Sequence, residues 1–250
     1  MRAIGRLFIT AIWLMAAVTA NSQQYLGTPG LIHVPTADMD TAGVARAGAH
    51  YLPAMIVPDG MKCDKKKFNT LTNYLSITPY HWVEVGYGYT LWRLHRNLNP
   101  YAKTGFYAKD RYFTLRLQPL RESRWWPSLV VGGNDVWGSG DKGQSASNYY
   151  RNYYVAATKH FCLDGWTVGT NMTYRRWKLG YNRKWDGIVG GITVQPTFYD
   201  KLRLIGEWDG NEVNIGADCP VFKYLLIQAS VIDFRYVNGG VSLCLPLKNF

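Results

Sequence analysis

Alternation with a period of two residues constrains this chain more than any other feature. From Trp82 to Trp92, Val83, Val85, Tyr87, Tyr89 and Leu91 take one face, and Trp82, Glu84, Gly86, Gly88 and Thr90 take the other. Successive side chains of a strand point to opposite faces, whereas helical spacing scatters these residues around a cylinder. The pattern recurs: Phe113, Leu115 and Leu117 against Thr114, Arg116 and Gln118; Trp166, Val168, Met172 and Tyr174 against Thr167, Gly169, Asn171, Thr173 and Arg175. Ile188, Ile192 and Val194 oppose Thr193 and Gln195, and Leu202, Leu204 and Trp208 oppose Arg203 and Glu207. Val213, Ile215 and Ala217 oppose Glu212, Asn214, Gly216 and Asp218. Val237, Val241, Leu243 and Leu245 oppose Asn238, Gly240, Ser242 and Cys244. The spacing predicts twelve strands, at 43–52, 68–78, 80–92, 110–118, 128–138, 149–160, 164–176, 186–196, 200–208, 211–218, 222–230 and 235–245.

A soluble sandwich alternates too. Three features favour an antiparallel transmembrane β-barrel. The count is even, as bacterial barrels have it. Aromatics make up 15% of the chain, charged residues only 18%, and mean hydropathy is −0.19. The aromatics also gather near predicted strand ends: Tyr80, Trp82, Trp92, Tyr112, Trp125, Trp126, Trp137, Tyr149, Tyr150, Trp166, Tyr174, Trp177, Trp185, Phe198, Tyr199, Trp208, Phe222 and Tyr224. Two interfacial girdles read this way in sequence. Short turns near Pro79-Tyr80, Cys162–Gly165, Pro196–Asp200 and Cys219–Val221, with the connection Pro119–Pro127, fall on one side. The longer, more charged connections 53–67, 93–109, 139–148 and 177–185 fall on the other, with two short turns, Asp209-Gly210-Asn211 and Ile232-Asp233. Pro79, Pro196 and Pro220 each read as leading into a new strand.

Residues 1–22 read as a secretory signal peptide, with Arg2 and Arg6 ahead of an apolar run from Leu7 to Val18 and a small-residue cleavage site at Ala20 or Ser22. No later stretch of about 18 apolar residues can form a membrane helix. At the other end, Asn238, Gly240, Leu243 and Leu245 fit the polar-x-Gly-x-x-apolar-x-apolar pattern of an outer-membrane insertion signal, with Pro246 expected to interrupt the strand before Phe250. The expected organisation is signal peptide 1–22, an extended segment 23–42 able to plug the barrel mouth, and a barrel over 43–250.

The segment Gly27-Thr28-Pro29-Gly30-Leu31-Ile32-His33-Val34-Pro35-Thr36-Ala37 resembles the opening of the YjbH-like outer-membrane proteins, in the pattern Gly-x-x-Gly-Leu-Ile-x-x-Pro-x-Ala followed by a glycine, here Gly43, before the first strand. The motif covers about the first thirty mature residues, and family members are longer, so this chain corresponds to one barrel unit. The resemblance implies an envelope barrel serving exopolysaccharide production and implies no catalytic residues.

The inward-facing polar set is Glu84, Arg116, Asn171, Arg175, Arg203, Glu207, Glu212, Asn214 and Asp218. Either it lines a narrow conduit, or its Arg and Glu pair across adjacent strands and seal the lumen; pairing is the expectation. Net charge is +11, or +9 without Arg2 and Arg6. Lys62, Lys65, Lys66, Lys67, Arg93, Arg96 and Lys103 crowd two long loops, where they face lipopolysaccharide phosphates or an acidic glycan, or are simply solvated. The five His (33, 50, 81, 95 and 160) show no metal-ligand spacing, and no Gly-x-Ser-x-Gly elbow, P-loop or His-Glu-x-x-His is present. His95 with Asp110, or His160 with Asp164, are the only acid–base pairs the order of residues suggests. Of the four cysteines, Cys63 falls outside and Cys162, Cys219 and Cys244 near the inner rim, so no obligatory disulfide is expected. The expected protein is a non-enzymatic barrel in the outer membrane of a Gram-negative bacterium, without metal or cofactor, supporting exopolysaccharide secretion or surface assembly. Its partners are outer-membrane lipid and lipopolysaccharide, the barrel-assembly machinery during insertion, and a polysaccharide or export proteins, with no nucleic acid. The alternatives are an anchoring barrel that holds partner proteins and a soluble exported all-β binding domain.

Overall fold

The computed structural model describes residues 23–136 and 149–247. The signal-peptide expectation, Trp137 and Phe250 lie outside the described residues. Twelve strands close into one antiparallel barrel in which each pairs with its sequence neighbours. They are β1 Val44–Leu52, β2 Thr70–Tyr80, β3 Val83–His95, β4 Thr104–Leu120, β5 Ser128–Asn134 and β6 Asn152–Leu163. The second half runs β7 Trp166–Trp177, β8 Gly187–Pro196, β9 Arg203–Trp208, β10 Val213–Phe222, β11 Leu225–Ile232 and β12 Tyr236–Pro246. Closure is made by β1 on β12, in register from Val44 opposite Pro246 to Tyr51 opposite Gly239. This seam removes both free edges of the sheet.

We call the end carrying the start of β1 and the end of β12 the base, and the opposite end the crown. The base holds the short connections 81–82, 164–165 and 223–224 together with 121–127 and 197–202; among the described residues the crown holds 53–69, 96–103, 135–136, 149–151, 178–186, 209–212 and 233–235. The longest connections therefore gather at the crown, as the sequence predicts, together with the two short turns 209–212 and 233–235.

Outward positions are apolar and exposed, among them Leu75, Val85, Phe113, Met172, Ile188 and Val241, while the alternate positions are buried. An outer face of this kind is suited to hydrocarbon. Asn238 of β12 is buried, and Leu243 and Leu245 face outward; Gly240 abuts the His50 ring.

Three details differ from the sequence reading. The prolines do not open strands: Pro196 ends β8, while Pro79 and Pro220 lie at bulges near the base ends of β2 and β10. A bulge or strand end spares the missing N–H a ladder position. Pro246 does not interrupt β12 but is its last paired residue, opposite Val44. The aromatic girdle exists at the base, where Tyr80, Trp82, Trp125, Trp126, Trp166, Phe198, Tyr199 and Phe222 are exposed. At the crown, Tyr174 and Trp208 face out, but Trp92, Tyr112, Tyr150, Trp177 and Trp185 are buried inside. Trp92, Tyr112 and Trp177 sit at inward strand positions, so an aromatic near a strand end does not by itself reveal which face carries it.

Candidate functional site

The lumen holds the chain's own N-terminal segment. Tyr25, Leu26, Leu31, Ile32 and Val34 are at most 2% exposed, and so is His33. The segment is not extended, as its prolines suggested, but folded on itself in two tight turns closed by isolated bridges Gln23–Pro29 and Gly30–Pro35. Gly27 N–H donates to Gln24 O at 2.8 Å, and Leu31 N–H to Val34 O at 2.8 Å. Gly27 has φ +85°, and a Cβ there would overlap the Tyr74 ring, so both conformation and space require glycine.

Polar side chains from the barrel wall take up the segment's remaining backbone groups. Glu207 of β9 accepts from the N–H groups of Ile32 (2.9 Å), His33 (2.9 Å) and Val34 (3.1 Å), and from Asn214 Nδ2 at 2.8 Å. Consecutive amides converging on one carboxylate form an anion nest, here with the anion supplied by the wall. Arg175 donates to the carbonyls of His33 (2.8 Å), Asp209 (3.0 Å) and Trp185 (3.2 Å). Arg116 donates to Thr36 O (2.6 Å) and Asp38 O (2.8 Å), and pairs with Glu84 at 3.2 Å. Asn171 and Thr173 reach Pro35 O, Gln228 reaches Leu31 O, Gln118 reaches Ala37 O, and Thr158 Oγ1 accepts from Ala37 N–H. Below the segment, Arg46 and Asp40 form a bidentate pair at 2.6 and 2.9 Å.

The sequence-predicted lumen set is thus inward-facing, but it is spent differently from the expectation. Cross-strand pairing holds for Glu84 with Arg116 and for Arg203 with Asp218 at 3.1 Å. Arg175 and Glu207 serve backbone groups of the inner segment and loops instead, and Glu212 sits at the crown rim beside Asn211. Pairing between strands is the expectation for a lumen sealed by its wall side chains alone. A filled one offers backbone partners, which a charge engages strongly in a dry interior.

His33 donates Nδ1–H to Asp209 at 2.8 Å and stacks edge-on against Trp185, ring centroids 4.9 Å apart. Burial, reinforced by the Arg175 cation, pushes the imidazole down to about 4 against the pull of Asp209. The ring is neutral at pH 7. Burial opposes ionisation of Asp209, but the His33 bond and the N–H groups of Glu212 and Asn211 outweigh it and hold the carboxyl below its usual range.

Above His33 the crown is shut by an apolar cluster. Trp92, Tyr112, Tyr150, Trp177 and Trp185 pack with Tyr25, Leu26 and Ile32, and with Ile56, Val57 and Met61 from the crown loop 53–69. At the base a cleft of about 530 Å³ opens below the segment, lined by Ala37–Ala42, His81, Gln118, Arg121, Glu122 and Ser128. Glu122 accepts from His160 Nδ1 at 2.7 Å and from Lys159 Nζ at 2.9 Å, which lowers its pKa despite partial burial. His160 therefore meets Glu122 rather than Asp164, and His95 meets Asp64 rather than Asp110.

The basic loop set divides. Lys67 bonds Met55 O and Val57 O and pairs with Asp59, Lys62 also pairs with Asp59, and Arg93 lies 4.3 Å over the Phe68 ring. Lys65, Lys66, Arg96 and Lys103 are exposed. Cys63, Cys162, Cys219 and Cys244 are all free thiols.

Fold and filled lumen together define the class: a closed twelve-strand barrel with an apolar outer face, occupied by its own N-terminal segment. The family described as exopolysaccharide biosynthesis protein YbjH matches residues 22–215, and the chain belongs to that family. No curated protein matches it in sequence. Among solved structures it is similar to outer membrane phospholipase A from Escherichia coli, at 13% identity and TM-score 0.34 over 85% of this chain and 98% of that one. It is also similar to the calcium-bound dimer of the Salmonella typhi outer membrane phospholipase, at 12% identity and TM-score 0.36 over 83% of this chain and 91% of that one.

Proposed function

We propose that this protein is a non-enzymatic outer-membrane barrel that supports exopolysaccharide secretion or surface assembly. Its lumen stays plugged, and the glycan or an export partner is met at the base cleft. The observation that carries this reading is the plugged lumen itself. Each of five apolar side chains on the inner segment contributes about 1.5–3 kcal/mol when buried, and Arg116, Arg175 and Glu207 keep their backbone partners on the segment only while it is in place. Expelling it to let a polymer through costs both. The base cleft, by contrast, is open, polar and of a size that accepts a few sugar rings. Gln118 and Arg121 offer it amide and guanidinium donors suited to hydroxyls and carboxylates.

The test is complementation of a deletion strain that has lost surface polysaccharide. A cross-link between Ala37→Cys and Thr158→Cys, positions joined by a 2.8 Å hydrogen bond, locks the segment in place and is expected to restore polysaccharide as well as wild type. Gln118→Ala combined with Arg121→Ala is expected to restore little. A locked barrel that fails until reductant is added makes the lumen a conduit and overturns the reading.

A further inference from the structure

A site at the crown is not used by the plugged lumen and does not depend on the polysaccharide role. Crown loop 53–69 contains a two-residue hairpin turn in which Cys63 and Lys66 exchange backbone hydrogen bonds of 2.9 and 3.0 Å. The central residues, Asp64 and Lys65, have φ of +52° and +63°. Two consecutive positive φ values are the signature of a type I′ turn, normally built from Asn-Gly. Holding Asp and Lys there is costly, and it places the Asp64 carboxylate against the crown end of β3. The residue it meets is His95, whose Nε2 lies 2.9 and 3.0 Å from the two Asp64 oxygens.

The hydrogen bonding of His95 is informative. Its Nδ1 lies 2.8 Å from Ala102 O, and a carbonyl only accepts, so Nδ1 carries a proton. In the neutral ring Nε2 is then a lone pair aimed at a carboxylate, which is repulsive. Something positive must lie between them: either a second proton on the ring or a cation. The third group decides. Cys63 Sγ, a ring nitrogen of His95 and a carboxylate oxygen of Asp64 all lie within 4.8 Å of one another. Cys63 is 4% exposed, and the His95 backbone N–H faces its sulfur. An imidazolium–carboxylate pair has no need of a sheltered sulfur at the same point.

We propose that Cys63, Asp64 and His95 form a zinc site. Thiolate, imidazole and carboxylate are its usual ligands, with bonds of about 2.0–2.3 Å that set ligand atoms roughly 3–4 Å apart. Around the ion the His95–Asp64 contact of 2.9 Å opens slightly while the Cys63 sulfur draws in. The Nδ1–H bond to Ala102 O supplies the outer partner that orients a ligating histidine. Asp64 is 65% exposed at its side chain, so the fourth position opens to solvent for water or an external ligand. Bound zinc would discharge the thiol proton and tie crown loop 53–69 to the β3–β4 hairpin. Arg93 is turned over Phe68 and bonded to Thr104 Oγ1 at 3.2 Å, which holds it in a different direction.

The experiment is titration of the detergent-purified full chain with Co²⁺ and then Zn²⁺. One Co²⁺ per chain with a thiolate-to-cobalt charge-transfer band, displaced by Zn²⁺, is expected. The band is lost in Cys63→Ser and His95→Ala, and Asp64→Asn keeps it with weaker binding. Because a variant can misfold, Zn²⁺ protection of Cys63 from alkylation is also measured on the unaltered chain by peptide mapping, with exposed Cys162 as the unprotected control. A folded wild-type protein with no charge-transfer band, or alkylation of Cys63 unchanged by Zn²⁺, overturns the proposal and leaves an imidazolium–carboxylate pair.

Discussion

His33 is the residue on which the inner segment's pH response turns. It is enclosed by Arg175 of β7, Glu207 of β9, Asp209 of the β9–β10 turn, Lys184 and the Tyr25 and Trp185 rings. Its pKa falls from 6.5 to about 4 on folding. The unfolded chain therefore binds more protons between those values, and stability declines as pH drops from 6.5 towards 4. At pH 5 the loss is about 2 kcal/mol, from one and a half pH units at roughly 1.4 kcal/mol each. Asp209 adds to the decline only below the ordinary carboxylate range. Asp135, which burial raises to about 6, works in the opposite sense through the same window. The comparison that isolates His33 is thermal unfolding in detergent at pH 7.5 and 5 for wild type and His33→Gln. The wild type is expected to lose more stability than the variant, and equal losses would show that the ring does not titrate in this way. None of this was visible in the residue order. The sequence places His33 in the entry motif and denies it metal-ligand spacing but says nothing of its charge, because its partners Arg175 and Asp209 come from far along the chain.

At the scale of elements, the strands were legible and the inner segment was legible only in part. Period-two patterning placed all twelve strands within a few residues, except that β4 begins at Thr104 rather than 110, β5 ends at Asn134 rather than 138 and β10 runs on to Phe222 rather than 218. Thr104–Lys109 extends a hairpin beyond the lipid-facing span, where the outer face no longer needs to be apolar and the alternation fades. The segment's glycines and prolines marked it as unusual, but they do not encode its partners, because backbone groups are not written in side-chain pattern. The sealing role of this element predicts that deleting residues 23–37 leaves the barrel folded and makes it conducting. Planar bilayers are expected to register no steady current through wild type and discrete openings through the deletion, with Arg116, Arg175, Glu84 and Glu207 newly hydrated. A deleted protein that folds and still does not conduct would place the barrier in the crown cluster of Trp92, Trp177 and Trp185.

For the whole molecule, the barrel wall and its contents contribute unequally to folding. The wall's backbone bonds are satisfied strand to strand, and closure depends on one seam, β1 with β12. Opening that seam exposes the edges of β1 and β12, and lipid offers nothing to bond to them. The contents are bonded to the wall by side chains that water can serve in their absence. The two parts should therefore fail differently. Removing Tyr236–Leu247 deletes β12, including the inward Asn238 and Ser242 and the outward Leu243 and Leu245. This truncation is expected to abolish the compact, heat-modifiable species on electrophoresis. Removing 23–37 is expected to retain that species at a lower unfolding temperature. If the truncated chain still runs as a compact barrel, β1 and β11 have paired directly in a smaller ring, and closure by β12 is not what fixes the number of strands. If instead the segment deletion is the one that cannot fold, the segment is part of the core around which the wall assembles, and the lumen was never a space the barrel could enclose without it.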